Sequence, residues 1–200
     1  GTFKEENYMS DKPHESLLTY AYTKKMLLQG AIALQLQFSM NWLCVVPSTL
    51  YGKGYHNDAR QMHFIFDLIR KIIEGKLYSK QVKLWGNGYQ KREIIYIDDF
   101  VNTLIKLDNK KIKNKIINIG FGKEHSIRFF AKKICKIVNF DFNKIKFDTK
   151  KYTGVKSKKL NINKISKILK NYRYSLTSPD EGIKETIKWY LSVLRKSEKK

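Results

Sequence analysis

Tyr20 and Lys24 stand four residues apart in a stretch of helix formers, so their side chains share one helical face. An ammonium near a phenol favours the phenolate and lowers its pKa from about 10. A tyrosine tuned in this way exchanges a proton with a carbonyl or an alcohol. Taken alone, the simpler reading is a partly buried tyrosine beside a solvated lysine. Further downstream come His63 with Arg70 and Lys71, then Trp85, then Arg92. Arginine offers a planar fork to phosphate oxygens, lysine a point charge, and tryptophan a face for stacking. Each also has a plain alternative: His63 as a histidine satisfied at a helix start, Trp85 as core, Arg92 as the partner of Glu93 in a surface ion pair worth little. His14, His56 and His125 read as surface or loop residues, and no set of His, Cys or acidic residues has metal-ligand spacing.

The elements that carry these residues follow from periodicity. Residues 15–37 hold Leu18, Ala21, Met26, Leu28, Ile32 and Leu36 at helical spacing. Residues 42–46 form a short apolar run before Pro47, which reads as a buried strand, followed by a polar, glycine-containing loop to Gln61. Helical spacing returns over 63–73 and is closed by Gly75. Strands over 82–85 and 93–97 flank a turn at Gly86-Asn87-Gly88, and Asp98 is placed to cap a helix to Leu107. A strand over 116–119, a helix from Ser126 to Val138, a strand over 144–147, a basic loop over 148–159 and helices over 163–169 and from about 178 to 194 complete an α/β alternation.

Two hundred residues suit one domain, or one small domain with part of another, and 42% hydrophobic residues suffice for a core. No apolar run approaches the roughly 18 residues of a membrane span, and the first residues lack the pattern of a signal peptide. Cys44 and Cys135 lie apart in apolar stretches and read as reduced, buried thiols of a cytoplasmic protein. The net charge of +22 admits a polyanion partner. Its lysines are spread through the chain, however, so it reads mainly as compositional bias, with a smaller part available to a phosphorylated substrate and nucleic acid disfavoured.

The motifs occur in a telling order. Tyr20-Ala21-Tyr22-Thr23-Lys24 precedes a strand ending in Pro47-Ser48-Thr49-Leu50-Tyr51-Gly52; then come His63, Trp85-Gly86-Asn87-Gly88 with Arg92-Glu93, and Tyr96-Ile97-Asp98-Asp99. Asn118-Ile119-Gly120, Ser126-Ile127-Arg128, the Gly154 to Leu160 loop and Trp189-Tyr190 extend the series. From about Tyr20 to Leu191 this resembles the extended short-chain dehydrogenase/reductase (NAD-dependent epimerase/dehydratase) family, most closely its GDP-4-keto-6-deoxy-mannose epimerase-reductases.

The resemblance implies the C-terminal part of a Rossmann-type enzyme with its smaller α/β substrate domain. Residues 1–52 and about 98–122 would be the remnant of the NAD(P)-binding domain, and 53–97 with 123–195 the substrate-binding domain. It implies Tyr20 as catalytic acid, Lys24 as its pKa partner and a ligand of the nicotinamide ribose, and Pro47, Ser48, Thr49 and Leu50 beside the nicotinamide. His63 would supply a proton during epimerisation and lie beside the cofactor, while Arg70 or Lys71, Trp85 and Arg92 hold the nucleotide diphosphate. The implied cofactor is NADP(H) or NAD(H), the substrate a GDP-sugar or another NDP-sugar, and the assembly a homodimer through the Tyr20 helix, with Leu27 and Ile32 facing a partner. Two departures from the family pattern stand out: Thr49 replaces the usual Asn, and Tyr152-Thr153-Gly154 replaces Pro-Asp-Gly. The family's Gly-rich strand-turn-helix has no counterpart in the sequence. The expectation is therefore a fragment that does not transfer hydride by itself.

Overall fold

The computed structural model describes residues 1–10, 12–55, 62–151 and 153–197. His56 and Tyr152 lie outside the described residues. In chain order the elements are β1 (Thr2–Phe3), α1 (Leu18–Phe38), β2 (Leu43–Pro47), β3 (Thr49–Tyr51), α2 (Phe64–Leu77), β4 (Lys83–Trp85), β5 (Lys91–Arg92), β6 (Ile94–Tyr96), α3 (Ile97–Asn109), β7 (Lys115–Ile119), β8 (His125–Ser126), α4 (Ile127–Val138), β9 (Lys146–Asp148), β10 (Ser157–Leu160), α5 (Asn163–Ile168) and α6 (Pro179–Ser197). The α/β class expected from the sequence holds. β2 runs parallel to β7 from Leu43↔Lys115 to Pro47↔Ile119, and β3 runs parallel to β6. β10 lies between β1 and β5, parallel to both, and β8 closes that sheet antiparallel to β5.

Helix α2 shows why periodicity reads well. Ile65, Leu68, Ile69, Ile72 and Ile73 are buried at helical spacing and form one apolar stripe. Gly75 does not close this helix but lies inside it, where a Cβ would stand 2.4 Å from Val82 Cγ2. That glycine permits close packing rather than termination. Ser126 does cap α4, its Oγ accepting the Phe129 N–H at 3.1 Å. Asp98 does not cap α3; Tyr96 holds the N-cap, and Asp98 and Asp99 occupy the first turn, where the helix dipole favours acids.

Several strands depart from the sequence reading. β3 falls in the expected polar loop and β10 in the expected basic loop. The strands on either side of Gly86-Asn87-Gly88 do not pair with each other: β4 pairs with β9 and β6 with β3. Both cysteines are free, Cys135 buried and Cys44 half-buried. Among the described residues no helix is long and apolar enough to cross a membrane.

Two apolar cores flank the β3–β6 pair. One gathers α2, α4 and α6 with Tyr51, Ile94 and Tyr96; the other gathers Ile95, Leu107, Ile117, Ile119, Ile165, Leu169 and Tyr172. Successive strand residues face opposite sides, so β6 sends Ile94 and Tyr96 to one core and Ile95 to the other. Ile165, Leu169 and Tyr172, which the sequence grouped with the substrate domain, pack on the β7 side.

Candidate active site

β2 and β7 run parallel, so their carboxyl ends meet at one edge, where the Ser48 N–H donates to the Ile119 carbonyl at 3.0 Å. Ligands of open α/β sheets bind at such edges. A cleft of about 320 Å³ opens there, lined by Tyr20, Pro47, Ser48, Thr49, Leu50, His63, Arg92, Glu93, Lys158, Lys159 and Leu160. That volume lies within the range of small-ligand sites.

Tyr20 reaches the cleft from α1 and is 65% exposed. The Lys24 ammonium stands 5.7 Å from the centre of the Tyr20 ring. The two share a face as their spacing requires, with the cation set over the ring. Lys24 itself does not line the cleft. The Ser48 hydroxyl is buried and has no hydrogen-bond partner. A buried hydroxyl left over in a cleft wall is the kind of group that a polar ligand satisfies. Ser48 and Tyr20 therefore present polar groups to the cleft, and Pro47, Thr49 and Leu50 complete that wall. His63 holds the N-cap of α2 without a side-chain capping bond; its backbone N–H donates to the Tyr55 hydroxyl at 2.7 Å. Its position on the cleft is thus not explained by capping.

Arg92 and Glu93 do not pair with each other. Arg92 Nη1 donates to the carbonyls of Lys91 and Val155, and Nη2 to that of Thr153, all at 2.8 Å. Burial pulls the Arg92 pKa down, opposed by Glu124. Glu93 is 3% exposed and accepts the N–H of Gly122 on Oε1 and that of Leu160 on Oε2, both at 2.6 Å. Burial raises its pKa above the ordinary carboxyl range, against the lowering by the Leu160, Gly122 and Phe121 N–H groups and Lys159. The surface ion pair considered from sequence gives way to two separate backbone clamps.

The cleft also contains Lys158 and Lys159, which the sequence reading left in a generic basic loop. Lys158 sits opposite Arg92 in the β5–β10 register. Its residue surface is largely accessible, but protein crowding around the ammonium, and then the Arg92 cation, lower its pKa. Two adjacent cations in one wall suit an anion such as a diphosphate. The available signal was the run of lysines before Leu160, visible but not distinctive in so basic a chain.

Three expected substrate residues lie outside this cleft. Arg70 is bound on its own helix to Asp67 at 2.6 Å and Glu74 at 3.0 Å, and Lys71 to Asp67 at 2.7 Å. Trp85 is 59% exposed at the end of β4, and the Gln90 amide donates to its carbonyl at 3.2 Å. Gly86 links it to the Arg92 region: with φ at +72°, a Cβ there would stand 2.2 Å from the Thr153 methyl carbon, and Thr153 is the residue whose carbonyl Arg92 binds. Among the described residues no cluster of His, Cys, Asp or Glu could hold a metal.

A parallel α/β frame with a cleft at the carboxyl ends of its strands is the arrangement of a Rossmann-type fold. Residues 1–120 match the NAD dependent epimerase/dehydratase family, and the chain belongs to that family. GDP-L-fucose synthase 1 of Arabidopsis thaliana is 26% identical over 189 residues, 90% of this chain and 57% of its own. The GDP-L-fucose synthase of Sinorhizobium fredii is 32% identical over 142 residues, 70% of this chain and 45% of its own. A GDP-L-fucose synthetase from Naegleria fowleri, crystallised with NADP bound, superposes with a TM-score of 0.83 at 25% identity, covering 96% of this chain and 61% of that one. The chain spans about half the length of the curated relatives it matches.

Proposed function

We propose that this chain carries the catalytic tyrosine and the substrate side of a cytoplasmic GDP-sugar epimerase-reductase that acts on GDP-4-keto-6-deoxy-mannose. The observation that carries the reading is the meeting of Tyr20, Pro47 to Leu50, His63 and Arg92 in one cleft, although they are spread over 73 positions of sequence. In this reading residues 1–52 and about 98–122 belong to the dinucleotide side, and 53–97 with 123–195 to the substrate side. The segment 162–176 packs back on β7.

Bound NADP(H) would supply the hydride. The Tyr20 phenol gives a proton to the sugar C4 oxygen as that carbonyl becomes an alcohol, with the Lys24 ammonium held over the Tyr20 ring. The Ser48 hydroxyl and the Pro47–Leu50 turn orient the reacting face. Epimerisation removes a proton from a ring carbon and returns one to its other face; His63 supplies the returned proton, and a second group must remove the first. Arg92 and Lys158 bind the diphosphate, while Trp85, exposed at the end of β4, lies outside the cleft. Helix α1 exposes Met26, Leu27, Leu34, Leu36 and Phe38, while Ile32 is half-buried. Leu27, Leu34 and Phe38 share one side of the helix, and that exposed stripe supports a homodimer built on α1.

The test has two arms. Titration calorimetry measures the binding of GDP and of GDP-mannose to residues 1–200; Arg92→Ala should weaken both, and UDP should compete poorly. NADPH oxidation with GDP-4-keto-6-deoxy-mannose is followed for residues 1–200 alone and joined to an upstream dinucleotide-binding segment. Activity only in the joined protein, lost in Tyr20→Phe with GDP affinity kept, supports the reading. Equal affinity for unrelated nucleotides, or full activity in Tyr20→Phe, sinks it.

A further inference from the structure

We propose that Glu93 is a positioning residue, whose carboxylate, together with Arg92, clamps the 153–160 segment so that Lys158 is held in the cleft and binds a diphosphate. The inference rests on the cleft being a diphosphate site. The geometry begins with the alternation of an extended strand: neighbours 92 and 93 point to opposite sides and grip the same segment at its two ends. Arg92 takes the carbonyls of Thr153 and Val155, and Glu93 takes the amide of Leu160. Glu124 secures the middle, accepting the Ser157 hydroxyl at 2.8 and 2.9 Å and the Lys158 N–H at 3.1 Å. The Lys158 backbone is thus held by Glu124 at its own amide and by Glu93 two residues on, at Leu160, while its side chain lines the cleft.

Glu93 lines the cleft but is not placed to act on a substrate. It is 3% exposed, and each of its oxygens already receives a backbone N–H at 2.6 Å. Through Gly122 it also ties β10 to the loop after β7, next to Ile119, whose carbonyl receives the Ser48 N–H. That loop approaches closely because residue 120 is glycine, where a Cβ would stand 2.4 Å from Glu93 Oε1. The carboxylate therefore couples the Lys158 segment to the strand end that holds Ser48. Glu93→Gln keeps the shape but turns one acceptor into an NH2 group facing a backbone N–H.

The experiment measures affinity for inorganic pyrophosphate and for GDP in the full 200-residue chain, with circular dichroism to verify folding. Glu93→Gln and Lys158→Met should each weaken pyrophosphate about tenfold. The double variant should be no weaker than Lys158→Met alone, because Glu93 acts through Lys158. A residue that merely supported the fold would weaken binding with Lys158 absent as well. Glu93→Asp, which keeps the charge, serves if Glu93→Gln does not fold, and should lose affinity in the same non-additive way. In the unmodified chain, pyrophosphate should raise the hydrogen-exchange protection of the Gly122 and Leu160 amides together. Unchanged affinity in a folded Glu93 variant, additive losses in the double variant, or unaltered protection overturns the proposal. Pyrophosphate binding without GDP binding defeats the nucleotide reading and leaves the clamp standing; binding of neither overturns both.

Discussion

The same substitution should have opposite effects at two glycines. Gly30 lies inside α1 with nothing within 4 Å of an added Cβ. Glycine costs an exposed helix interior about 0.5–1 kcal/mol relative to alanine, so Gly30→Ala should stabilise by that amount. At Gly120 the added Cβ would lie 2.4 Å from Glu93 Oε1 and 3.1 Å from its Cδ. Glu93 cannot swing aside without giving up one of two amide bonds of 2.6 Å. The chain must accept either overpacking or the loss of a charge-assisted bond, and both routes cost roughly 2–3 kcal/mol. For a chain of this size about 1 kcal/mol moves the melting temperature by 2–4 °C. Gly120→Ala should therefore melt roughly 4–12 °C lower, and Gly30→Ala about 1–4 °C higher. Thermal circular dichroism reads both, and urea midpoints guard against irreversible melting. If Gly120→Ala melts within a degree of the unmodified chain, Glu93 is not held as described and the clamp argument falls with it.

Arg70→Ala and Lys71→Ala should cost at most about 1 kcal/mol each and leave GDP affinity within a factor of about two, since their charges are spent in partly exposed pairs on α2; a tenfold loss by titration calorimetry would return them to the substrate site. Asp99→Asn tests a buried carboxyl whose pKa is raised chiefly by burial, against the lowering by its bonds from the Thr177 N–H and hydroxyl. A raised folded pKa contributes stability that is full below the unfolded value near 4 and is lost as pH rises through the folded value. The variant should therefore gain on the unmodified chain between about pH 4 and neutrality, and urea unfolding across that range showing a gain that shrinks with rising pH would contradict this. Leu27 is 63% exposed on α1, and Leu27→Glu should shift the chain toward monomer in sedimentation velocity; an unchanged distribution would remove α1 from the proposed contact.

What was legible in the sequence was whatever local pattern controls. The α2 stripe and the Ser126 cap depend on residues a few positions apart, and the Tyr20–Lys24 pairing on a single helical turn. The ordered motifs named Tyr20, Pro47 to Leu50, His63 and Arg92, which line one cleft, and also Lys24, Arg70, Lys71 and Trp85, which do not. β10 was not legible: Ser157-Lys158-Lys159-Leu160 has almost no apolar alternation and becomes a strand through distant partners, β1, β5 and the amide-accepting Glu93 and Glu124. Arg70 and Lys71 were misplaced for a different reason. Asp67 and Glu74 stand at helical distance from them, a local pairing that the motif order overshadowed.

The sharing of β6 between two cores bears on how the molecule comes apart. Ile94 and Tyr96 belong to one apolar body and Ile95 to the other, and one three-residue strand supplies both. Neither body can loosen without stripping β6 from β3, and that loss exposes the other body as well. Melting should then follow a single sigmoid, and the amides of 94–96 should exchange only through global opening. Natural variation that softens one half would be felt as reduced lifetime of the other, so sequence change on the two sides is constrained to move together.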